Sequence, residues 1–250
     1  MECPLKHLTE CLEEGTMVTI RPSAERGHSN YGWLDTRYTF SFANYFDPKQ
    51  MGFRDLRVIN EDWISAGKGF GPHPHNDMEI ITYIIDGELS HRDSTGREAR
   101  LKPDDVQRMS AGTGVVHSEY NNSDAPVHLL QIWIVPEAHN LAPSYEDRTF
   151  PRSQKQNRLR LIASHDGGGG STRINQDASV YASLLDRGRM LGLDLQPGRH
   201  AWIQLVSGEL DVNGTRLKSG DGAAISDETQ LALTSVGENG AAEFLLFDLA

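Results

Sequence analysis

The chain contains the same short pattern twice. Tyr83-Ile-Ile-Asp-Gly-Glu-Leu89 returns as Gln204-Leu-Val-Ser-Gly-Glu-Leu210, and Leu101-Lys-Pro-Asp-Asp105 returns as Leu217-Lys-Ser-Gly-Asp221. Each copy reads as strand, glycine turn, strand, loop, and a second turn. This repeat limits the fold to one β unit built twice. Two copies are too few for a solenoid, so the expectation is a duplicated domain.

Short apolar or alternating runs support an all-β reading. They are Met17–Ile20, Tyr38–Phe42, Leu56–Ile59, Met78–Ile85 and Leu129–Val135, separated by Gly, Pro, Asn and Asp clusters. Ile80-Ile-Thr-Tyr-Ile-Ile85 is apolar on both faces, as a central strand between packed layers must be. The boundary between the copies is expected between Pro143 and Gln156. This gives an N-terminal extension (1–16), a first domain (17–148) and a second domain (149–250). The extension is expected to hold a helical turn or two around Leu8–Leu12. The run Gly167–Gly170 reads as a surface loop. A single helical patch is expected around Ala178–Arg187.

Composition narrows the partners. The chain has 250 residues, 38% hydrophobic, and a formal charge of −11 with no basic run to offset it. A phosphate backbone needs a clustered basic face, so direct nucleic-acid binding is not expected. No apolar run approaches the roughly 18 residues of a membrane span, and the N-terminus lacks the apolar core of a secretory signal. Cys3 and Cys11 are the only cysteines, which fits reduced thiols in the cytoplasm.

The chemistry lies in two spacings. His73-Pro74-His75, followed by Glu79, and His117-Ser118-Glu119 each place potential metal ligands at i and i+2. On a strand those side chains share a face. Two neighbouring strands would thus offer three imidazoles and a carboxylate to one point. Such donors suit iron, manganese, cobalt, nickel, copper or zinc and leave coordination positions open for chemistry. Glu79 reads as a ligand or as a group orienting an imidazole, with the second reading favoured. Counting along the second copy from its shared turns lands on Asp194, Gln196, Leu233 and Ser235. That copy keeps the scaffold and lacks the ligand set, so one metal ion per chain is expected. His91 and His128 read as structural histidines.

Gly67-x5-His73-x-His75-x3-Glu79-x7-Gly87 resembles the first cupin motif, and Gly114-x2-His117-x3-Asn121 resembles the end of the second. Within the cupins, the stretches His73–Tyr83, Gln107–Glu119 and His128–Trp133 resemble the pirin family, nearest its bacterial members with quercetinase activity. The resemblance runs from about Met17 to the end of the chain. It includes Gln176-Asp-Ala-Ser-Val-Tyr181 and Leu217-x-x-Gly-Asp-Gly222. The N-terminal extension and the four-glycine run depart from the family pattern without touching the site.

The resemblance implies a bicupin, two tandem β-sandwich barrels of the jelly-roll type with few short helices. Its ligands would be His73, His75, His117 and Glu119, with Glu119 also serving catalysis as proton acceptor. The ion it implies is Fe(II). The implied activity is a quercetin 2,3-dioxygenase that uses O2 to open the central ring of a flavonol or related phenolic compound, releasing carbon monoxide. Met78, Tyr83, Met109, Val115 and Trp133 are candidates to line its cavity. The alternative is a non-enzymatic regulatory protein whose metal acts as a structural or redox switch for protein partners.

Overall fold

The computed structural model describes residues 18–238 and 240–250. The extension, the turn around Leu8–Leu12 and both cysteines lie outside the described residues. In chain order the elements of the first half are β1 (Val18–Arg21), β2 (Gly27–Asn30), β3 (Leu34–Tyr38), β4 (Leu56–Ile64), β5 (Gly69–His75), β6 (Glu79–Asp86), β7 (Leu89–Asp93), β8 (Glu98–Leu101), β9 (Asp105–Ser110), β10 (Val115–Tyr120), β11 (Val127–Ile134) and β12 (Ser144–Thr149). A single helical turn, α1 (Arg152–Lys155), leads to β13 (Arg160–Ser164), β14 (Thr172–Arg173), β15 (Ala178–Leu185), β16 (Met190–Asp194), β17 (His200–Ser207), β18 (Glu209–Val212), β19 (Thr215–Lys218), β20 (Gly222–Ile225), β21 (Gln230–Ser235) and β22 (Ala242–Leu249).

The strands form two sandwiches, each pairing a seven-stranded with a four-stranded sheet, which is the expected bicupin. The first joins β12-β9-β6-β11-β4-β3-β2 to β5-β10-β7-β8, and the second joins β1-β20-β17-β22-β15-β13-β14 to β16-β21-β18-β19. β1 is thus hydrogen-bonded into the second half, where Val18 lies opposite Ile225 and Arg21 opposite Gly222. It covers β20, whose backbone groups would otherwise form an open sheet edge.

Two expected elements differ. The stretch around Ala178–Arg187 is strand β15, because Ala178, Val180 and Ala182 turn inward on alternate residues while it pairs with β22 and β13. The strand expected over Tyr38–Phe42 instead ends at Tyr38. Phe40 then leaves the sheet and packs its ring 4.9 Å from Trp202 of the second half.

One core cluster unites the two large sheets, with Ile59, Ile81, Tyr83 and Leu130 from the first half and Val180, Trp202 and Phe247 from the second. Full burial of such side chains stabilises by about 1.5–3 kcal/mol each. At its edge the Tyr83 hydroxyl donates to Glu243 (2.6 Å) and accepts from Lys155 Nζ (3.1 Å), which also pairs with Asp104 at 2.8 Å. The interior of the second sandwich is one continuous apolar cluster, mostly aliphatic, with Phe244 among its members. That of the first is divided into two smaller clusters, one around Leu89 and Leu129 and one around Ile80 and Met109. Among the described residues no helix is long and apolar enough to cross a membrane.

Candidate metal centre

The candidate ligands of the first sandwich sit on its four-stranded sheet. β5 and β10 are adjacent and antiparallel, with His73 directly opposite His117 and His75 opposite Val115. A bulge follows His117 and sets Glu119 opposite Phe70. Such bulges re-aim the side chains around them. Gly69 allows this close pairing, since a Cβ there would lie 2.1 Å from the Glu119 carbonyl oxygen.

His73, His75 and His117 bring one ligand atom each to within 4.8 Å of one another. Their ring centroids are 4.4 Å (His73–His117), 4.8 Å (His73–His75) and 4.9 Å (His75–His117) apart. His73 donates Nδ1–H to the Gly71 carbonyl oxygen at 2.8 Å, which leaves its Nε2 as a lone pair. His117 is buried and its Nε2 has no hydrogen-bond partner. Glu119, also buried, groups with His117 and His91 and accepts from Gln131 Nε2 at 3.1 and 3.2 Å.

Electrostatics matches this geometry. Burial, then the charge of His73, holds the His75 imidazole down at about 4, and burial with His73 and His75 holds His117 at about 3. Both rings are neutral at pH 7, the form that ligates metal. Burial raises the Glu119 carboxyl to about 7, and nearby Asp62 adds to the rise. A buried carboxylate without a cation is costly, and a bound cation removes that cost. An unpartnered imidazole nitrogen, neutral rings and an uncompensated carboxyl all fit a divalent ion.

Four expectations change. Glu79 orients no imidazole. It is on the face of β6 that Ile81 and Tyr83 turn toward the second half, away from the histidines, and it accepts from Ser110 Oγ at 2.7 Å and Asn175 Nδ2 at 3.0 Å. His91 is inside the site: its Nδ1 is 3.4 Å from His117 Nδ1 and its Nε2 is 3.2 Å from Asp93 Oδ2. The signal for it is a third i, i+2 pair, His91-Arg92-Asp93, on β7 beside β10. His128 lies elsewhere, stacked on Trp63 at 4.2 Å and bonded to Glu61 at 3.0 Å.

The third change concerns the second copy. With Leu210 as counterpart of Leu89, Val212 stands where His91 stands, and its cross-strand partner Leu233 takes the place of Glu119. Leu231 then replaces His117, and its partner Leu193 replaces His73. Leu195 replaces His75. Counting from the turns is one residue out on β16 and two on β21, because the loops differ in length. Leucines occupy the positions of the candidate ligands, which is why the second interior is continuous.

Fourth, the cavity beside the site is lined by other residues. It measures about 280 Å³ and has Tyr31, Trp33, Phe42 and Phe70 as aromatic walls, with Asn60 and Asp62 at its polar side. Phe70 lies 6.2 Å from the His73 ring, and Phe42 contacts Trp133, which packs 4.8 Å from His75. Met109 and Val115 are core, packed by Met78 and Trp133, and Tyr83 faces the second half. Burial raises the Asp62 carboxyl to about 6.

Two families match this chain: Pirin over residues 19–134, and the Quercetinase C-terminal cupin domain over residues 161–249. The quercetin 2,3-dioxygenase of Escherichia coli (strain K12) is 45% identical, over 93% of this chain and 99% of its own length. A pirin-like protein of Caulobacter vibrioides is 38% identical over 94% of this chain and 100% of its own length. The crystal structure of the bacterial pirin YhhW from Escherichia coli in complex with nickel(II) superposes with a TM-score of 0.88 at 44% identity, covering 93% of this chain and 99% of that one.

Proposed function

Because the chain belongs to the pirin family, we propose that it is a metal-dependent quercetin 2,3-dioxygenase that opens the central ring of a flavonol or related phenolic compound with O2 and releases carbon monoxide. The observation that carries this reading is the convergence of His73, His75 and His117 beside an aromatic-walled cavity. The relatives named for the same activity support it.

In this reading His73, His75 and His117 hold one divalent ion, with Glu119 as the fourth ligand. Fe(II) is the ion we assign. The nickel(II) held by the relative's structure makes nickel the first alternative to test. When bound, the ion supplies the Lewis acidity that makes a coordinated enolic hydroxyl acidic and the redox chemistry that O2 requires.

The chain's own residues bind and orient. Trp33, Phe42 and Phe70 hold an aromatic ring by apolar contact, and Asn60 and Asp62 face its hydroxyl groups. Glu119, held by Gln131, accepts the proton of the reacting hydroxyl at its carboxylate. Its burial keeps competing water from that oxygen.

The test is O2 uptake and carbon monoxide release from quercetin by protein loaded separately with Fe(II), Ni(II), Mn(II), Co(II), Cu(II) and Zn(II). Equimolar gas exchange with at least one ion is expected, with loss in His73→Ala. Absence of turnover with all six ions, or full activity in His73→Ala, would falsify the proposal.

A further inference from the structure

Three neighbouring strands each contribute an i, i+2 pair to one face of the four-stranded sheet. These are His73 and His75 on β5, His117 and Glu119 on β10, and His91 and Asp93 on β7. The register aligns them in rows, with His73, His117 and Asp93 side by side and His91 opposite Glu119. The third pair has no place in the ligand set, yet His91 and Asp93 are buried.

Asp93 is fixed first. Its Oδ1 accepts from Thr95 N (2.8 Å), Thr95 Oγ1 (2.5 Å) and Arg97 N (3.2 Å), which ties the carboxylate to the β7–β8 turn. Its Oδ2 faces His91 Nε2 at 3.2 Å. A carboxylate only accepts, so the His91 proton sits on Nε2 and its Nδ1 is a lone pair. That lone pair faces His117 Nδ1 at 3.4 Å. The His117 proton is therefore drawn to Nδ1, and its unpartnered Nε2 is left as a lone pair. Tyr145 packs on the His91 ring at 5.0 Å and is capped in turn by the Arg97 guanidinium at 5.1 Å, so the ring is braced from behind.

We propose that Asp93 and His91 form a positioning relay that sets the tautomer of His117 and aims its Nε2 at the metal. The proposal rests on the metal centre assigned above. The second copy supports it from within the chain. Its counterparts of His91 and Asp93 are Val212 and Gly214, so the relay and the ligands are absent together. The relay also gives His91 a role other than ligation, although it groups with His117 and Glu119. Groups bonded behind a metal ligand typically change affinity by 10–100-fold when removed.

The test uses the full chain in two states. In metal-free wild-type protein labelled with 15N-histidine, long-range 1H–15N correlation spectra should show His117 protonated at Nδ1. A proton on Nε2 overturns the relay whatever any variant does. Chelator competition with Co(II) then compares His91→Phe with His91→Asn, whose amide oxygen can stand where Nδ1 stood. We expect His91→Phe to weaken Co(II) binding by about 10–100-fold and alter its visible spectrum, and His91→Asn to stay within about threefold of wild type. Equal affinity in wild type and a folded His91→Phe overturns the relay. If wild type itself binds no Co(II), Ni(II) or Fe(II), the metal reading fails, while the tautomer measurement still decides the hydrogen-bond chain.

Discussion

Glu119 and Gln131 are joined by a forked contact, in which one amide nitrogen donates to both carboxylate oxygens at 3.1 and 3.2 Å. The carboxylate only accepts, which keeps the amide nitrogen on its side and leaves Gln131 Oε1 to accept from the Thr82 hydroxyl at 2.8 Å. Thr82 and Gln131 are cross-strand partners on β6 and β11, so the large sheet holds the carboxylate of the small one. Gln131→Leu should lower turnover of quercetin roughly 10–100-fold while the three histidines retain their metal. Metal analysis alongside initial rates checks this, and unchanged rates at full metal content would count against a role for Gln131.

Gly69 is placed where β5 meets the backbone of β10. A Cβ there would lie 2.1 Å from Glu119 O and 2.6 Å from Tyr120 Cα, and neither atom can rotate away. Gly69→Ala should therefore push β5 outward, carrying His73 and His75 with it. A cost of about 1–3 kcal/mol is expected, with metal binding weakened at least about tenfold, or about 1.4 kcal/mol. Gly71→Ala on the same strand meets nothing within 4 Å and serves as the control. Thermal melts and chelator competition on the two variants should separate them cleanly.

Trp33 forms an edge-to-face pair with Phe70 at 5.1 Å in the wall of the cavity. Trp33→Ala removes ring contact without touching the metal cluster. KM for a flavonol should rise roughly tenfold, the equivalent of about 1.4 kcal/mol, with kcat little changed. Steady-state kinetics decides this, and a fall confined to kcat would place the ring elsewhere.

Glu61 governs part of the acid stability. Burial alone would raise its carboxyl, but the hydrogen bond from His128 and the charge of Arg26 at 2.6 Å hold it below its ordinary 4.5. A carboxyl whose folded pKa is depressed contributes stability above its unfolded value and loses it as pH falls through the folded one. Wild type should thus lose stability below about pH 4.5. Glu61→Gln leaves the buried Arg26 without its counter-charge, with only the Gly220 and Arg37 carbonyls still accepting from it, costing about 3 kcal/mol at pH 7, and should show a shallower acid loss. Urea unfolding across pH 3–7 compares the two curves.

The residues of the site differ in how visible they are along the chain. His73, His75, His117 and Glu119 stand out because i, i+2 spacing fixes a shared strand face whatever the strand packs against. His91 and Asp93 have the same spacing but lie in a different strand, and only the β10–β7 register brings them behind His117. Glu79 illustrates the opposite error. Its spacing from His75 is suggestive, yet strand alternation turns it to the other face of its sheet. The segment from Ala178 misleads for a related reason, since small and apolar residues suit either structure until neighbouring strands claim the backbone.

The sequence alone determines the duplication, the all-β class and the donor types, because each is encoded in residues a few positions apart. The tertiary structure decides which strands become neighbours. It places β1 in the second half's sheet, sets the bulge after His117, assembles the aromatic cavity from β3, β4, β5 and the loops beside them, and puts leucines where the second copy would need ligands. These choices depend on cross-strand register and on cores shared between distant segments. Side-chain periodicity is indifferent to both, since a strand keeps its alternation whichever partner it finds.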